Sequence, residues 1–146
     1  MVDLPDAISV AESRVLELVL PGFVPDSRLS LNGRHRTHRY VVAKLRGEAR
    51  AILGDALLVA DVQDNRLEFF DRAVVTFTFV YPVRRRRDPD GLAGLSKPLL
   101  DELVQWNILE DDDSEHVELS VRAIVESGVT ETRISIREAH SASPLR

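Results

Sequence analysis

The chain has no cysteine among its 146 residues, which excludes disulfides and thiolate metal sites. No apolar run approaches the roughly 20 residues that a membrane-spanning helix needs. The opening stretch MVDLPDAISVAES lacks the basic and apolar regions of a signal peptide. The sequence therefore predicts a soluble cytoplasmic protein without a membrane partner, with one domain over residues 1–140 and a disordered tail over 141–146.

Net positive charge is also absent, because the formal net charge is −5. Taken alone, this value argues against a nucleic-acid partner, but the charges are segregated along the chain. Residues 27–50 carry seven Lys or Arg against one acid, and Arg84 to Arg87 add four more, whereas residues 101–115 hold seven acids and no base. Since exposed charges are screened beyond about 10 Å at physiological salt, such local surfaces matter more than the total.

The hydrophobic pattern predicts an α/β (α+β) single domain with one mixed β-sheet and two main helices. Thr37 is the expected N-cap of the first helix. Pro98 suggests that the second helix begins near Ser96, after a bent lead-in from Gly91, because proline is tolerated best in a first turn. The predicted order is a strand over 13–22, a polar loop over 24–36, a helix from about Thr37, a strand over 73–83, a helix over 91–107, and a hairpin of strands 116–127 and 130–138.

A pair of acids follows the strongest strand signal after four arginines, in the stretch RRRRDPD. Asp88 and Asp90 are spaced i, i+2, so in extended chain their side chains leave on the same side and need a cation between them. A third acidic stretch, EDDD at 110–113, follows the next helix. Chain direction makes a meeting of these acids reasonable. All-oxygen ligands suit Mg²⁺ or Mn²⁺ rather than Zn²⁺.

Each of these motifs taken singly has a structural interpretation as a solvated turn, a helix cap or an exposed basic face. An EF-hand loop starting at Asp88 is excluded, because its twelfth position is Leu99 instead of Glu. A phosphatase nucleophile of the Asp-x-Asp type is disfavoured, since four arginines separate the pair from the buried strand. Arginine beside carboxylate-held metal fits phosphodiester chemistry, because guanidinium groups bind phosphate oxygens bidentately and metals activate water.

The stretch RRRRDPDGLAGLSKPLLDELVQWNILEDDDSEHV (84–117) resembles the RusA family of Holliday junction resolvases, found in phages, prophages and bacteria. The family pattern is a basic run, Asp-x-Asp-Asn-Leu, a lysine, an aspartate four residues later, and an Asp-Asp pair before a Val-rich strand. The stretch LPGFVPDSRLSLNGRHRTHR is similar to the family's N-terminal segment, more loosely. Two departures stand out: Gly91 replaces the usual Asn, and Lys97 lies three residues later than in the shortest members.

The resemblance implies a homodimer that binds four-way DNA junctions and, with Mg²⁺, nicks two opposed strands in recombination and repair. Asp88, Asp90 and Asp113 would be the metal ligands, with Asp112 as second choice, because spacing from Asp101 favours Asp112 and spacing from Val117 favours Asp113. Lys97 would stabilise charge at the phosphate or orient the attacking water. The DNA contacts would come from Arg84, Arg85, Arg86 and Arg87 and from Arg34 and Arg36 in the basic loop.

Three alternatives remain open on the sequence alone. Lys97 could simply pair with Asp101 one helical turn later. The chain could be a non-catalytic protein that binds branched DNA and retains the fold, which Gly91 and the shifted lysine would permit. It could also be a metal-dependent phosphohydrolase acting on small phosphate esters, although a small substrate does not need so wide a basic surface as residues 28–50 provide.

Overall fold

The computed structural model describes residues 14–63, 67–84 and 89–139, with the backbone alone for Leu31, Asn32, Arg34, Pro89 and Asp90. One mixed four-stranded sheet and two main helices confirm the predicted α+β class. The predicted tail at 141–146 lies outside the described residues. None of the helices in the described ranges combines the length and hydropathy that a bilayer crossing requires. The elements are β1 (Val15–Pro21), a 3₁₀ turn (Ser27–Leu29), α1 (Leu31–Arg36), α2 (Arg39–Val62), β2 (Ala73–Tyr81), α3 (Pro89–Gln105), β3 (Val117–Val125) and β4 (Glu131–Glu138).

The strands are ordered β1-β4-β2-β3, with β3 parallel to β2 and the other neighbours antiparallel. Both predicted strands at 116–127 and 130–138 exist, but the prediction that they form a hairpin is wrong. β4 enters the sheet between β1 and β2, and its Ile134 and Ile136 are fully buried. β3 runs along the edge instead. Alternation shows which face of a strand is buried and does not show which strand lies beside it.

The hydrophobic core lies on one face of the sheet. One row across the four strands illustrates it: Leu18 pairs with Ile134, Ile134 with Phe77, and Phe77 with Val121. Phe77 is fully buried, whereas Val121 at the β3 edge is only partly buried. Apolar side chains of α2 and α3 complete the same core cluster. Burial by the helices therefore weakens toward β3.

Helix α2 begins close to the expected residue, with a different cap. His38 is the N-cap, and its Nδ1 accepts the backbone N–H of Tyr40 at 3.0 Å. Thr37, the predicted cap, instead donates its hydroxyl to the carbonyl of Gly33 at 2.7 Å. The helix is 24 residues long, and its core-facing side has the predicted helical spacing. The buried positions are Val42, Ala49, Leu53, Leu57 and Ala60.

The stretch 24–36 is not the polar loop that its composition predicts, because it folds into the 3₁₀ turn and α1. Asp26 caps the turn by accepting the backbone N–H of Arg28 at 2.9 Å. Gly33 lies inside α1 and not at the tip of a turn. A Cβ at this position would lie 2.6 Å from the carbonyl oxygen of Ser27, so glycine is needed for close backbone packing.

Helix α3 starts at Pro89, seven residues before the predicted start at Ser96, and continues through Pro98 to Gln105. An interior proline costs a helix about 3 kcal/mol, since it lacks an N–H and crowds the preceding turn. Burial of Leu95, Leu99 and Leu103 against the sheet offsets that cost. Tertiary packing therefore keeps α3 continuous at Pro98, where the local sequence alone predicts that the helix would break.

Candidate active site

Helix α3 carries the predicted site along one of its faces. Because α3 is continuous from Pro89, position 90 lies nearly two turns before Lys97 and on the same face. Helical rise separates the two Cα atoms by about 10 Å along the axis. Gly94 lies between them and contributes no side chain. A helix starting at Ser96 would have left Asp90 without this fixed relation to Lys97.

Lys97 is the centre of a three-residue charge cluster. Its Nζ lies 3.1 Å from Asp101 Oδ1, and it makes a closer hydrogen bond to Asp112 Oδ2. The bond to Asp112 raises the pKa of Lys97. The Lys97 ammonium in turn lowers the pKa of the Asp112 carboxyl. Lys97 therefore stays protonated at neutral pH and lies between the carboxylates of Asp101 and Asp112.

The end of α3 explains how Asp112 returns to the middle of the helix. Asn107 has a positive φ of 61°, the left-handed conformation that commonly ends a helix. Ile108 and Leu109 are then buried, and the carbonyl of Ile108 accepts the N–H of Phe70 at 2.7 Å. This anchor fixes the chain just before the acidic stretch, which then folds back along α3 to Lys97.

Asp113 has a different role from Asp112 in the described structure. Its Oδ1 accepts the backbone N–H of Glu115 at 3.0 Å and that of His116 at 3.1 Å. The same oxygen lies 2.7 Å from Nδ1 of His116. Asp113 thereby caps the turn that leads into β3. Of the two candidates for the third acid, the structure brings Asp112 to Lys97 and assigns Asp113 to this turn.

The remaining predicted site residues are described only in part. Asp88, Arg85, Arg86 and Arg87 lie outside the described residues, and Asp90 and Arg34 are described by backbone alone. Arg84 and Arg36 are exposed. Within 14–63, 67–84 and 89–139, no group of three or more His, Asp or Glu side chains is arranged to hold a metal ion. Asp88 and the side chain of Asp90 lie outside these described groups.

The direction of the strands does not by itself bring the two acidic segments together, which differs from the sequence-based expectation. β2 and β3 are parallel, with Ala73 beside Val117 and Tyr81 beside Val125. The stretch 110–113 therefore precedes the end of the sheet at which β2 begins, whereas residues 84–90 follow the opposite end. The acidic stretch folds back along α3 as far as Lys97, whereas Asp88 and the side chain of Asp90 lie outside the described structure.

Glu102 is a structural residue of the site that sequence reasoning missed. Arg50 Nε of α2 lies 2.8 Å from its Oε1, and Trp106 Nε1 donates to its Oε2 at 3.0 Å. Oε1 thus fixes α3 against α2, while Oε2 is held by Trp106 at the end of α3 itself. The sequence could have indicated the contact between Glu102 and Trp106, because these residues lie one helical turn apart. This clamp sets the orientation of the helix that carries Lys97.

The contact between Asp113 and His116 predicts a measurable titration. The hydrogen bond to Asp113 raises the pKa of His116 above its ordinary value of about 6.5. The pair therefore stabilises the folded protein fully below about pH 6.5, and this contribution is lost as the pH rises through the raised pKa. Asp113→Asn is expected to lower the pKa of His116 toward its ordinary value, as measured by NMR titration of the imidazole ring.

The matched control is Asp112→Asn, which removes a neighbouring carboxylate that does not contact the ring. It should leave the pKa of His116 nearly unchanged. Equal downward shifts in both variants would show that general negative charge, rather than the Asp113 contact, controls the titration.

No model of a known protein family matches this chain, and no curated protein is significantly similar to it.

Proposed function

We propose that the chain is a Mg²⁺-dependent, structure-selective DNA endonuclease that resolves four-way junctions by paired nicks. The observation that carries this proposal is the charge cluster on α3. Lys97 shares a helix face with position 90 and is hydrogen-bonded to Asp112. An acid from a separate segment thereby reaches the lysine of the motif, on the helix face that also carries position 90.

The chain's own residues would divide the work in the following way. Asp88, Asp90 and Asp112 would supply carboxylate oxygens for Mg²⁺ or Mn²⁺, the ligand type that these ions prefer. Asp112 is favoured over Asp113, because Asp113 already accepts three hydrogen bonds at one oxygen. Lys97 would hold the scissile phosphate or orient water. When bound, the metal supplies Lewis-acid activation at the phosphate.

Fewer than the seven Lys and Arg side chains in residues 27–50 would be available to contact DNA. Arg28 is paired with Asp26 at 2.9 Å, and Arg50 is paired with Glu102 at 2.8 Å. Within the described part of residues 27–50, three exposed bases have no carboxylate partner and would remain for phosphate contacts. They are Arg36, Arg39 and Lys44.

A second candidate is a protein that binds branched DNA without cutting it. The observation in its favour is the position of the Lys97 ammonium, which lies between Asp101 and Asp112 and already neutralises both carboxylates. A lysine can serve structurally in place of a bound cation. Both candidates use the same basic surface, so binding alone does not distinguish them.

A Mg²⁺ titration on an end-labelled four-way junction tests the proposal. Nicks at symmetric positions on opposed strands are expected to appear with Mg²⁺ or Mn²⁺ and to disappear with a chelator. A linear duplex of the same sequence is the matched control and should remain intact. Tight binding without nicking at any Mg²⁺ concentration would favour the second candidate. Equal cutting of the linear duplex would contradict structure selectivity.

A further inference from the structure

Strand β3 is an edge of the sheet, and within the described residues it pairs with β2 alone. The N–H of Glu126 donates to the carbonyl of Tyr81 at 3.1 Å, and the carbonyl of His116 accepts the N–H of Ala73 at 2.8 Å. Even-numbered positions of β3 therefore direct their backbone groups toward β2. Since backbone direction alternates along a strand, the odd-numbered positions of 117–125 direct N–H and C=O groups away from the sheet.

This edge also exposes apolar side chains on the face that is buried elsewhere in the sheet. Leu119 is 40% exposed and Val125 is 47% exposed, although both lie in register with the core-facing positions of β2. β3 contains no proline and no lysine, the residues that commonly block edge-to-edge pairing. A nine-residue strand of this kind is a template for another strand.

The charges of β3 select one partner and one register. Glu118 and Arg122 lie on the same face of the strand, four residues apart, with Ser120 midway between them. In antiparallel pairing about a two-fold axis at Ser120, Glu118 lies opposite Arg122 of the partner subunit, and the reverse pair forms as well. An axis at Glu118 or Arg122 would pair like charges. With the axis at Leu119 or Val121, neither Glu118 nor Arg122 would face a side chain of opposite charge.

We propose that β3 pairs antiparallel with β3 of a second copy of this chain, in the register centred on Ser120, so that the two sheets become continuous. In this register the charged pairs occupy non-hydrogen-bonded positions, where side chains of facing residues are closest. The Nε–H of Arg122 donates a hydrogen bond to Thr78 Oγ1 at 3.1 Å, and its other side-chain nitrogens have no partner among the described residues. Leu119 would then cover Val121 of the partner subunit.

This interface does not depend on the proposed nuclease activity, because none of its residues belongs to the cluster around Lys97. It also differs from the other exposed apolar surface, the stripe on α2 that contains Ile52, Val59 and Val62. That stripe lies within a helix, whose backbone groups bond to one another, so it offers no unpaired N–H and C=O groups to a partner. The second copy is therefore assigned to β3.

The test is the assembly state of single and mixed charge variants, measured by sedimentation velocity over a range of concentrations. The unaltered chain is expected to be a dimer. Arg122→Glu and Glu118→Arg should each raise the dissociation constant by about 30-fold or more, because two attractive cross-strand pairs become repulsive. Mixing the two variants in equal amounts should restore a dimer, because every cross-strand pair is again of opposite sign.

The control variant is Val59→Lys on the α2 stripe, which should leave the dimer unchanged. Circular dichroism of each variant checks that the fold is retained. The inference is overturned by a monomeric unaltered chain, by a dimer that persists in Arg122→Glu, or by a failure of the mixture to reassociate. If Val59→Lys were the only variant that dissociated the dimer, the interface would lie on α2 instead of β3.

Discussion

Asp90→Asn is expected to lose cleavage of a four-way junction while still binding it. The substitution keeps the size of the side chain but removes the negative charge that would hold the metal, and a loss of roughly 100- to 10,000-fold in rate corresponds to several kcal/mol of transition-state stabilisation. Binding should be equal or tighter, because a carboxylate that repels phosphate is gone. Cleavage kinetics in Mg²⁺ and a gel-shift titration of the same junction measure the two effects.

The control for this variant is Asp55→Asn, which changes an exposed acid on α2 that makes no ion pair with Lys97. It should cut at the unaltered rate. If Asp90→Asn also cut at that rate, Asp90 would have no part in catalysis and the motif would be only a helix start.

The same assay ranks the two candidates for the third acid. Asp112→Asn should lose cleavage as Asp90→Asn does, since Asp112 is the acid that Lys97 brings to the helix face. Asp113→Asn should lose less, because its main role is to cap the turn before β3. The reverse ranking would show that spacing from Val117, and not the contact with Lys97, identifies the ligand.

The types of the main elements could be predicted from the sequence, because their burial follows the period of the local structure. Leu16, Leu18 and Leu20 alternate on β1, and Ala49, Leu53 and Leu57 recur on α2. The order of the strands could not be predicted. β3 and β4 are neighbours along the chain and read as a hairpin, but β4 pairs with β1 and β2. Such pairing depends on non-local packing, which periodicity does not record.

The candidate site could be predicted as a set of residue types but not as an arrangement. Chemistry picked out the acidic stretch 110–113, the resemblance added Lys97, and the structure brings Lys97 and Asp112 together. The choice between Asp112 and Asp113 depended on a reversal at Asn107 and on the burial of Ile108. Neither feature has a periodic signal. Spacing along the sequence therefore left both Asp112 and Asp113 open as the third acid. The contact of Asp112 with Lys97 on α3 favours Asp112.

Gly33→Ala is expected to destabilise the protein by about 1–3 kcal/mol, in spite of the better helix propensity of alanine. The added Cβ would lie 2.6 Å from the carbonyl oxygen of Ser27 and 2.7 Å from the Cα of Arg28. Both are backbone atoms, so α1 must move away from the 3₁₀ turn. The expected fall in Tm is about 3–10 °C, measured by thermal unfolding.

Gly47→Ala is the matched control, because it makes the same chemical change inside a helix where no atom lies within 4 Å of the added Cβ. There the gain in helix propensity acts alone, and the Tm should rise by about 2–4 °C. Opposite signs for the two variants would show that Gly33 is required by backbone contact. A rise in Tm for both would mean that α1 can separate from the turn at no cost. In that case the basic residue Arg36 is not held in a fixed position, and the DNA surface proposed here would form only on binding.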